Sequence, residues 1–368
     1  MNYLQSISFL NLLLFFVATF GCVESLAQAV EAKEENLLKI SGFLEAYYSY
    51  DFGNPASSNK PPFIYSYNRH NEFNINLGMV AFQYSKDRIR SNFALMAGTY
   101  SNANLAAEPG VLKNVFEANV GYKLSENQNL WIDMGILPSH IGFESAIGTA
   151  NLNLTRSILA DNSPYYESGL RLSYSSPNQK WYLAALALNG WQRIQRVEGN
   201  SLMSFGTQAT FTSGNFLINS STFIGTDSPD TERKMRYFHN LYSQISLTPR
   251  WKVILGLDMG MQQSEPMGSD YDTWISPVLI AQVQMNDKIS LAGRLEQYTD
   301  RDGVIISTES PEGFQTLSAS LNLDWKLSEN LMWRTEYRYF AGDDAYFPAE
   351  NQNSDQMNLF TTSFAINF

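Results

Sequence analysis

The feature that most constrains this chain is a period-two alternation of apolar and polar residues that continues along most of its length. The segment 314–327 shows it clearly: from Leu317 to Trp325 every odd-numbered residue is apolar, and the even-numbered residues between them are polar or charged. The segments 331–340 and 360–368 repeat the pattern. A half-buried antiparallel strand produces this alternation whether its apolar face meets a protein core or lipid. The pattern therefore predicts an all-β chain and leaves the surrounding solvent open.

The lengths of the connections separate a membrane barrel from a soluble sandwich. Sixteen candidate strands begin near Ile40, Phe73, Ile89, Val115, Leu130, Tyr166, Trp181, Leu202, Asn215, Met235, Trp251, Trp274, Ile289, Phe314, Leu331 and Gln356. Links after even-numbered strands are short, as at 85–88 and 328–330, whereas 51–72 and 137–165, after odd-numbered strands, are very long. Short turns on one rim and long loops on the other are typical of outer-membrane barrels. We therefore predict a transmembrane antiparallel up-and-down β-barrel of about sixteen strands, within a range of about fourteen to eighteen.

The N-terminal region predicts export from the cytoplasm. Residues 7–20 form an apolar stretch that is too short to span a bilayer as a helix, and an A-x-A cleavage pattern ends at Ala29. Cys22 leaves lipoprotein processing as an alternative. The predicted organisation is a cleaved signal peptide at 1–29, a short periplasmic segment at 30–39 and a single barrel domain at 40–368.

Two features of the strand ends agree with a membrane barrel. The turn sequence Lys-Leu-Ser-Glu-Asn occurs at 123–127 and again at 326–330, and each copy is followed shortly by Leu and then Trp. Such a Trp is expected in the aromatic girdle at the membrane interface, although hairpin chemistry and core packing would give the same pattern. Phe364, Ile366 and Phe368 alternate at the end of the last strand. We interpret them as an assembly signal for the barrel-assembly machinery.

Composition and motifs argue against several other functions. A net charge of −11 disfavours nucleic acid, and a single cysteine rules out intrachain disulfides and multi-cysteine metal sites. The chain has no Walker-type loop, GxGxxG, HExxH or GxSxG element. His239, with Asn240 and Ser243 nearby, is a weak candidate for catalysis, and the acidic residues of the loops are more simply read as solvated than as calcium ligands. We predict no catalytic residues, no metal and no cofactor.

The long 137–165 segment is the candidate pore constriction, because a hairpin does not need a connection of this length. The residues of interest in it and at its exit are His140, Glu144, Arg156, Asp161, Tyr165, Tyr166 and Glu167. Acidic and basic groups on opposite sides of a narrow passage would create a transverse field that orients polar solutes. The alternative is an ordinary surface loop that covers the extracellular mouth.

Charged residues on the polar faces of the strands are candidates for the wall of the lumen: Arg171, Arg294, Glu296, Arg334, Glu336 and Arg338. A basic residue on the lipid face near mid-membrane would cost about 2–4 kcal/mol, so the polar face is expected to line the lumen. These residues could filter solutes, or they could form a ladder of salt bridges that stiffens the wall. Both roles stay open from the sequence.

Several short motifs stand out in the middle and at the end of the chain: Gly-Phe-Glu at 142–144, Asn-Leu-Thr-Arg-Ser at 153–157, Pro-Tyr-Tyr-Glu-Ser-Gly at 164–169, Asn-Gly-Trp-Gln at 189–192 and the terminal Phe368. On these residues the chain resembles the OmpL-like β-barrel porins of Bacteroidetes-type outer membranes. The resemblance implies a diffusion channel in the outer membrane. Members often carry His-Thr where this chain has Glu167 and Ser168, and Lys at the position of Ile136, so the resemblance implies no particular solute.

The sequence therefore predicts an outer-membrane porin of a Gram-negative bacterium, a passive channel for small polar or ionic solutes. Its expected partners are outer-membrane lipid, the barrel-assembly machinery, small polar solutes and, in a homo-oligomer, further copies of the chain. The alternative is a surface-binding or adhesion barrel whose lumen is plugged and whose long loops grip a partner.

Overall fold

The computed structural model describes residues 37–368, and within them sixteen β-strands form one closed barrel. The strands are β1 (Leu38–Asp51), β2 (Glu72–Lys86), β3 (Ile89–Ala97), β4 (Val115–Lys123), β5 (Asn129–Pro138), β6 (Tyr166–Ser175), β7 (Trp181–Leu188), β8 (Ser204–Ser213), β9 (Phe216–Gly225), β10 (Arg236–Ser246), β11 (Trp251–Gln263), β12 (Tyr271–Gln284), β13 (Ile289–Asp300), β14 (Phe314–Lys326), β15 (Leu331–Gly342) and β16 (Gln356–Asn367). The fold class and the count of sixteen strands are confirmed. The predicted signal peptide, its cleavage site and Cys22 lie outside the described residues.

Each strand is hydrogen-bonded to its neighbours in sequence, and β1 and β16 close the barrel. The closing pair is antiparallel and begins with Phe43 opposite Asn367. Beyond it, Gly42 N donates to Phe368 O at 2.7 Å and Phe368 N donates to Gly42 O at 3.0 Å. A backbone N–H or C=O left without a partner in lipid costs several kcal/mol. Closure removes the two open edges that would otherwise carry such groups.

The two rims of the barrel differ as the sequence predicts. The connections on one rim are short turns at 87–88, 124–128, 176–180, 214–215, 247–250, 285–288 and 327–330. Those on the other rim are the longer segments 52–71, 98–114, 139–165, 189–203, 226–235, 264–270, 301–313 and 343–355. Phe368 lies at the rim of short turns, which outer-membrane barrels direct toward the periplasm.

The two faces of each strand differ in polarity because one meets lipid and the other meets the lumen. On β13, Arg294 and Glu296 are each 2% exposed, whereas Leu295 between them is 56% exposed on the outer face. On β14, Leu321 is 64% exposed and the adjacent Asn322 is fully buried in the barrel. The large exposed apolar residues thus lie on the outside, where lipid replaces water.

The two repeated turns direct their tryptophans to different faces. Trp333 lies opposite Trp325, and both are exposed on the outer face. Trp131 instead lies opposite Lys123 and faces the lumen, where the guanidinium of Arg90 lies 4.2 Å from its ring centre. The prediction of an interfacial aromatic is therefore wrong for Trp131. The turn before it is one residue longer, and in a strand a shift of one residue reverses the face.

The alternation predicted for β2 is interrupted near its middle. Phe73 is 86% exposed and Ile75 is 43% exposed, but Leu77 is fully buried and Met79 is 9% exposed. The four residues therefore do not share one face. Asn76 is also fully buried, so two consecutive residues are enclosed and the later part of the strand has the opposite alternation.

Short helical segments occur only in the long connections of the described chain. They are α1 (Thr99–Asn104), α2 (Ile158–Asp161) and 3-10 turns at Gly110–Asn114, Gly148–Ala150 and Asp230–Glu232. Among residues 37–368, none of the helices has the length and apolar character needed to cross a membrane.

Two of the long connections enter the barrel. The first is residues 139–165, called the inward loop from here on. The second is 52–71, whose Phe63 packs against Phe314 with ring centres 4.8 Å apart and also contacts Phe340 and Phe347. These rings belong to a buried apolar cluster toward the rim of long loops, which also includes Leu186 of β7, Phe238 of β10 and Trp274 of β12. The segment 52–71 thus packs its apolar side chains inside the barrel near that rim.

Candidate solute passage and its constriction

The inward loop begins after β5, crosses the lumen and returns to β6. Its tip contacts β13, β14 and β15, which lie about half-way around the barrel from β5 and β6. Asn153, Leu154 and Arg156 in the tip are fully buried. The loop therefore lies inside the barrel as a crossbar fixed at both ends.

Arg294 and Glu336 hold the backbone of the tip. Arg294 Nη1 donates to Thr155 O at 2.7 Å, and Thr155 N donates to Glu336 Oε2 at 2.6 Å. The two side chains also bond each other, with Arg294 Nη2 donating to Glu336 Oε1 at 3.0 Å. A buried charge is tolerated only where hydrogen bonds and an opposite charge replace its water. The loop backbone supplies part of that replacement.

A second pair of wall residues binds the next turn of the loop. Arg338 Nη1 donates to Arg156 O at 2.8 Å, and Arg338 Nη2 donates to Glu296 Oε1 at 2.6 Å. The other oxygen of Glu296 accepts from Ile158 N at 2.6 Å, where α2 begins. The first backbone N–H groups of a helix lack partners within it, and Glu296 satisfies one of them.

Arg334 binds the part of the loop that precedes its tip. It donates to Gly148 O at 2.6 Å and Asn151 O at 3.0 Å, while its Nε donates to Asp324 Oδ1 at 2.7 Å. The group of four charges and the Arg334–Asp324 pair both bond the loop backbone, and together they are called the wall clamp: Arg294, Glu296, Asp324, Arg334, Glu336 and Arg338. Five of its members are predicted wall residues. In the wall clamp the salt-bridge ladder and the loop anchor are the same structure.

The sixth predicted wall residue, Arg171, is not part of the wall clamp. It lies on β6 and approaches Asp133 on β5, with 3.4 Å between Nη2 and Oδ2. Asp133 also accepts two hydrogen bonds from Arg90 on β3, at 2.7 and 2.5 Å. Arg171 therefore belongs to a separate ion cluster on the opposite wall.

The root of the inward loop is held by His140 and Glu167. His140 Nδ1 lies 2.8 Å from Glu167 Oε1, and its Nε2 lies 2.8 Å from Thr222 O. Ser221 Oγ donates to His140 O at 2.7 Å. Burial disfavours protonated His140, but Glu167 and the Thr222 carbonyl outweigh burial and raise its pKa. These contacts fix the loop to β9 as well as to β6.

Arg156 is enclosed by the loop itself, and Glu144 is bonded to the loop at the edge of a cavity. Arg156 donates to Leu154 O at 2.8 Å and Ala146 O at 2.9 Å, and its guanidinium lies 5.8 Å from the ring centre of Tyr67. Glu144 accepts hydrogen bonds from the hydroxyl and backbone N–H of Ser157. Burial raises the pKa of Glu144, although the nearby guanidinium groups of Arg294 and Arg156 act to lower it. Neither side chain forms the pair of facing charges that a transverse field needs.

The two tyrosines at the exit of the loop contact other loops. Tyr165 N donates to Gln192 Oε1 at 2.7 Å, and the Tyr165 ring packs edge-on against Tyr100 at 5.7 Å. Tyr166 OH donates to Glu108 Oε1 at 3.2 Å. They join the inward loop to the segments 98–114 and 189–203.

A cavity lies on either side of the inward loop. The inner one, of about 310 Å³, is toward the short turns and lies between Phe143 and Glu144 of the loop and Gln244, Lys252 and Ile254 of the wall. The outer one, of about 300 Å³, is toward the long loops. Its lining includes two of the predicted loop residues, Asp161 and Tyr166. The loop thus separates two polar compartments.

Glycines on the lumen face of the strands accommodate the loop, and the sequence analysis missed them. A Cβ on Gly206 would lie 2.5 Å from Nε2 of His140, and one on Gly256 would lie 2.6 Å from the ring of Phe143. An isolated glycine within a strand pattern is a known sign of close approach by another segment. That signal was available in the sequence, although it does not name the segment that approaches.

The weak catalytic grouping around His239 is separated by the strand. His239 faces outward and its Nε2 lies 2.8 Å from Ser220 Oγ, whereas Asn240 faces the lumen and donates to Asp258 at 2.6 Å. Within the described part of the chain, there is no group of three or more His, Cys, Asp or Glu residues that could hold a metal ion.

A closed sixteen-stranded barrel with one rim of short turns, an apolar outer face and a long loop anchored across a polar lumen defines the class of outer-membrane porins. Among solved structures, the chain is similar to the outer membrane channel DcaP of Acinetobacter baumannii, at 10% identity and a TM-score of 0.61 over 90% of this chain and 97% of that one. It is also similar to an anion-selective porin from Comamonas acidovorans, at 10% identity and a TM-score of 0.61 over 90% and 99%. A third similar structure is OmpT of Vibrio cholerae, at 10% identity and a TM-score of 0.57 over 92% of this chain and 100% of that one. These likenesses concern the fold.

The chain belongs to the family described as "Putative beta-barrel porin-2, OmpL-like", whose model matches residues 37–368. A comparison with curated proteins found no match. This is a family of porins, and the chain is an outer-membrane porin of a Gram-negative bacterium.

We expect Glu336→Ala to loosen the inward loop. The change removes the acceptor of Thr155 N and one of the two carboxylates that face Arg294, and breaking a buried pair in this way costs about 3 kcal/mol. The free energy of unfolding in lipid vesicles measures the loss. Glu72→Ala removes the partner of Arg69 in a pair that is about a third exposed, and it should cost less than about 1 kcal/mol. Equal effects of the two changes would contradict a clamping role.

We also expect ion selectivity to change near neutral pH. Burial raises the pKa of Asp161 to about 7 despite Arg156 and Arg338, and burial lowers the pKa of Lys60 to about 7 despite Asp51. As pH falls through this range, Asp161 loses its negative charge and Lys60 gains a positive one, so the channel becomes more anion-selective. The reversal potential under a salt gradient, recorded from about pH 9 to about pH 5, measures this change.

The matched variants for this experiment are Asp161→Asn and Asp287→Asn. Asp287 lies in an exposed turn on the short rim, and its loss should leave the pH profile unchanged. Asp161→Asn should remove part of the shift near neutrality, leaving the contribution of Lys60. A profile that is the same in Asp161→Asn as in the unmodified protein would show that Asp161 does not contribute.

Proposed function

We propose that this porin is a passive diffusion channel for small polar solutes and that the inward loop is its constriction. The observation that carries the proposal is the crossbar itself: the loop is bonded to the far wall at Thr155 and Ile158 and to the near wall at His140, with a cavity on each side. Fixing a loop so firmly in a wide lumen has a functional reason if the loop sets the size of the passage.

We place the inner part of the passage beside β8–β12. Toward the outer rim, the apolar cluster that contains Phe63, Phe314 and Phe340 also includes Phe223, Phe238 and Trp274 of β9, β10 and β12. Both cavities adjoin the free side of the inward loop, and the inner one is walled by β8–β12. A solute would therefore move past Asp161 in the outer cavity and past Phe143 and Glu144 in the inner one.

Single-channel current through planar bilayers containing the purified protein tests the proposal. The unmodified protein should give stable steps. Replacing 145–155 by a short Gly-Ser linker removes the crossbar, so the size of the steps should rise at least about twofold, with greater noise.

The control is a shortened segment 264–270, a connection on the same rim whose Met267 is 77% exposed. This change should leave the step size unaltered. Steps that do not grow after removal of 145–155 would contradict the constriction while keeping the channel. Folded protein without any conductance would overturn the channel and favour a barrel that binds partners through its loops.

We propose further that the C-terminal strand is read by the barrel-assembly machinery. Phe364, Ile366 and Phe368 are 50%, 36% and 68% exposed on the outer face, where a partner strand or lipid can contact them. The ring of Phe368 also lies over Gly42, where a Cβ would collide with it. The same residue thus supports barrel closure and an exposed recognition surface.

Phe368→Ala should slow folding into vesicles that contain the assembly machinery but should slow spontaneous refolding in detergent much less. Gel mobility with and without heating measures the folded fraction over time. Equal slowing in both systems would assign Phe368 to barrel closure alone.

The predicted homo-oligomer stays a prediction, supported by the trimer form in which OmpT of Vibrio cholerae has been solved. The mass of the detergent-extracted protein tests it.

A further inference from the structure

The outer cavity has the composition of a binding site. Its lining includes Tyr65, Asp161, Trp191, Arg193, Asp227 and Arg236, together with several amide side chains. Its volume of about 300 Å³ is at the lower end of the range for small-molecule pockets. When both carboxylates are ionised, the two acidic and two basic groups cancel, and the cavity is then polar without a net charge.

The charged groups of this cavity differ from those of the wall clamp because none of them forms a salt bridge within the described residues. None of Arg193, Arg236, Asp161 and Asp227 forms a salt bridge with any other part of residues 37–368. Asn104, 5% exposed and also in the lining, has an Oδ1 without a hydrogen-bond partner among the described residues. Charged groups without a salt bridge, and an amide oxygen without a hydrogen bond, favour a polar ligand when they lie in a recessed site.

The positive side of the cavity is built from the outer loops and the end of β10. Arg236 bonds Gln262 and lies 5.1 Å from the ring centre of Trp191. Asp227 accepts from Trp191 N at 3.0 Å, and a Cβ at Gly190 would collide with it. Burial raises the pKa of Asp227, and Arg236 and then Arg193 act against that rise. Two arginines and one carboxylate leave this side with one positive charge.

The negative side belongs to the inward loop. Asp161 ends α2 and is 4% exposed, and its Oδ1 accepts from Ser66 Oγ at 3.1 Å. Arg193 lies in the segment 189–203 and Arg236 on β10, so the inward loop contributes the acidic Asp161 to the lining and other elements contribute the arginines.

We propose that the outer cavity binds zwitterionic solutes of the amino-acid class during their passage. The solute's carboxylate bonds Arg193 and Arg236, its ammonium bonds Asp161, and its side chain packs against Tyr65, Trp191 and Ile305. Charge-assisted hydrogen bonds at both ends orient such a solute. A neutral or singly charged molecule cannot form both sets of bonds. This inference rests on the proposed channel and adds the solute class to it.

Swelling of proteoliposomes in isotonic solutes tests the inference with L-serine, erythritol and sodium lactate as probes. L-Serine is a zwitterion, erythritol is a neutral molecule of similar size, and lactate is a monocarboxylate. The unmodified protein should admit L-serine about three- to tenfold faster than erythritol. Asp161→Asn and Arg193→Gln should each bring that ratio close to one while the rate for erythritol stays the same.

Arg196→Gln is the matched control, because Arg196 lies in the same connection, outside the cavity lining, and bonds Ser201 O. Arg196→Gln should keep the preference for L-serine. Asp161→Glu, which retains the carboxylate that Asp161→Asn removes, should largely retain that preference as well. Equal entry of L-serine and erythritol into liposomes with the unmodified protein would overturn the inference and leave the channel intact. Preference for lactate over L-serine that only Arg193→Gln removes would assign an anion site instead. Entry of no solute would overturn the proposed channel itself.

Discussion

The structure depends on one constraint: in lipid, each backbone N–H and C=O must find its partner within the protein. Sixteen strands meet it by closing on themselves, with β1 paired to β16 and Gly42 bonded to Phe368. Closure in turn divides every strand into a lipid face and a lumen face. The apolar exterior, the polar interior and the enclosed space for a solute all follow from that division.

Inside the barrel the same constraint acts on charges and on loop backbone together. Arg294, Arg334 and Arg338 are fully or almost fully buried, and each bonds a carboxylate of the wall and a carbonyl of the inward loop. Arginine suits this task because its planar group donates in several directions and keeps its charge when buried. The charges would be costly without the loop, and the loop backbone would lack partners without the charges. The wall clamp and the crossbar therefore exist only as a unit.

The charges of the lumen therefore divide into those that hold the inward loop and those that line the cavities. The charged groups of the wall clamp bond the inward loop or one another, and Arg156 is enclosed by its own loop. The groups that remain available lie in the two cavities, chiefly Glu144 and Lys252 on the inner side and Asp161, Arg193 and Arg236 on the outer side. The charge-rich strands β13 and β15 thus supply structural contacts, whereas the sparser charges of the loops line the outer cavity.

The sequence by itself determined the barrel, its strands, its rims and which face of β13 and β15 is polar. It could do so because strand periodicity and turn composition are local, and lipid imposes the same rule on every strand. It could not determine that Trp131 turns inward, since that depends on a one-residue difference in pairing. Nor could it separate filter from anchor for Arg294, Glu296 and Arg338, because their partners are backbone groups about 140 to 180 residues away in the chain. Only the tertiary structure brought these distant groups together, and burial then decided which charges hold the loop and which are left to meet a solute.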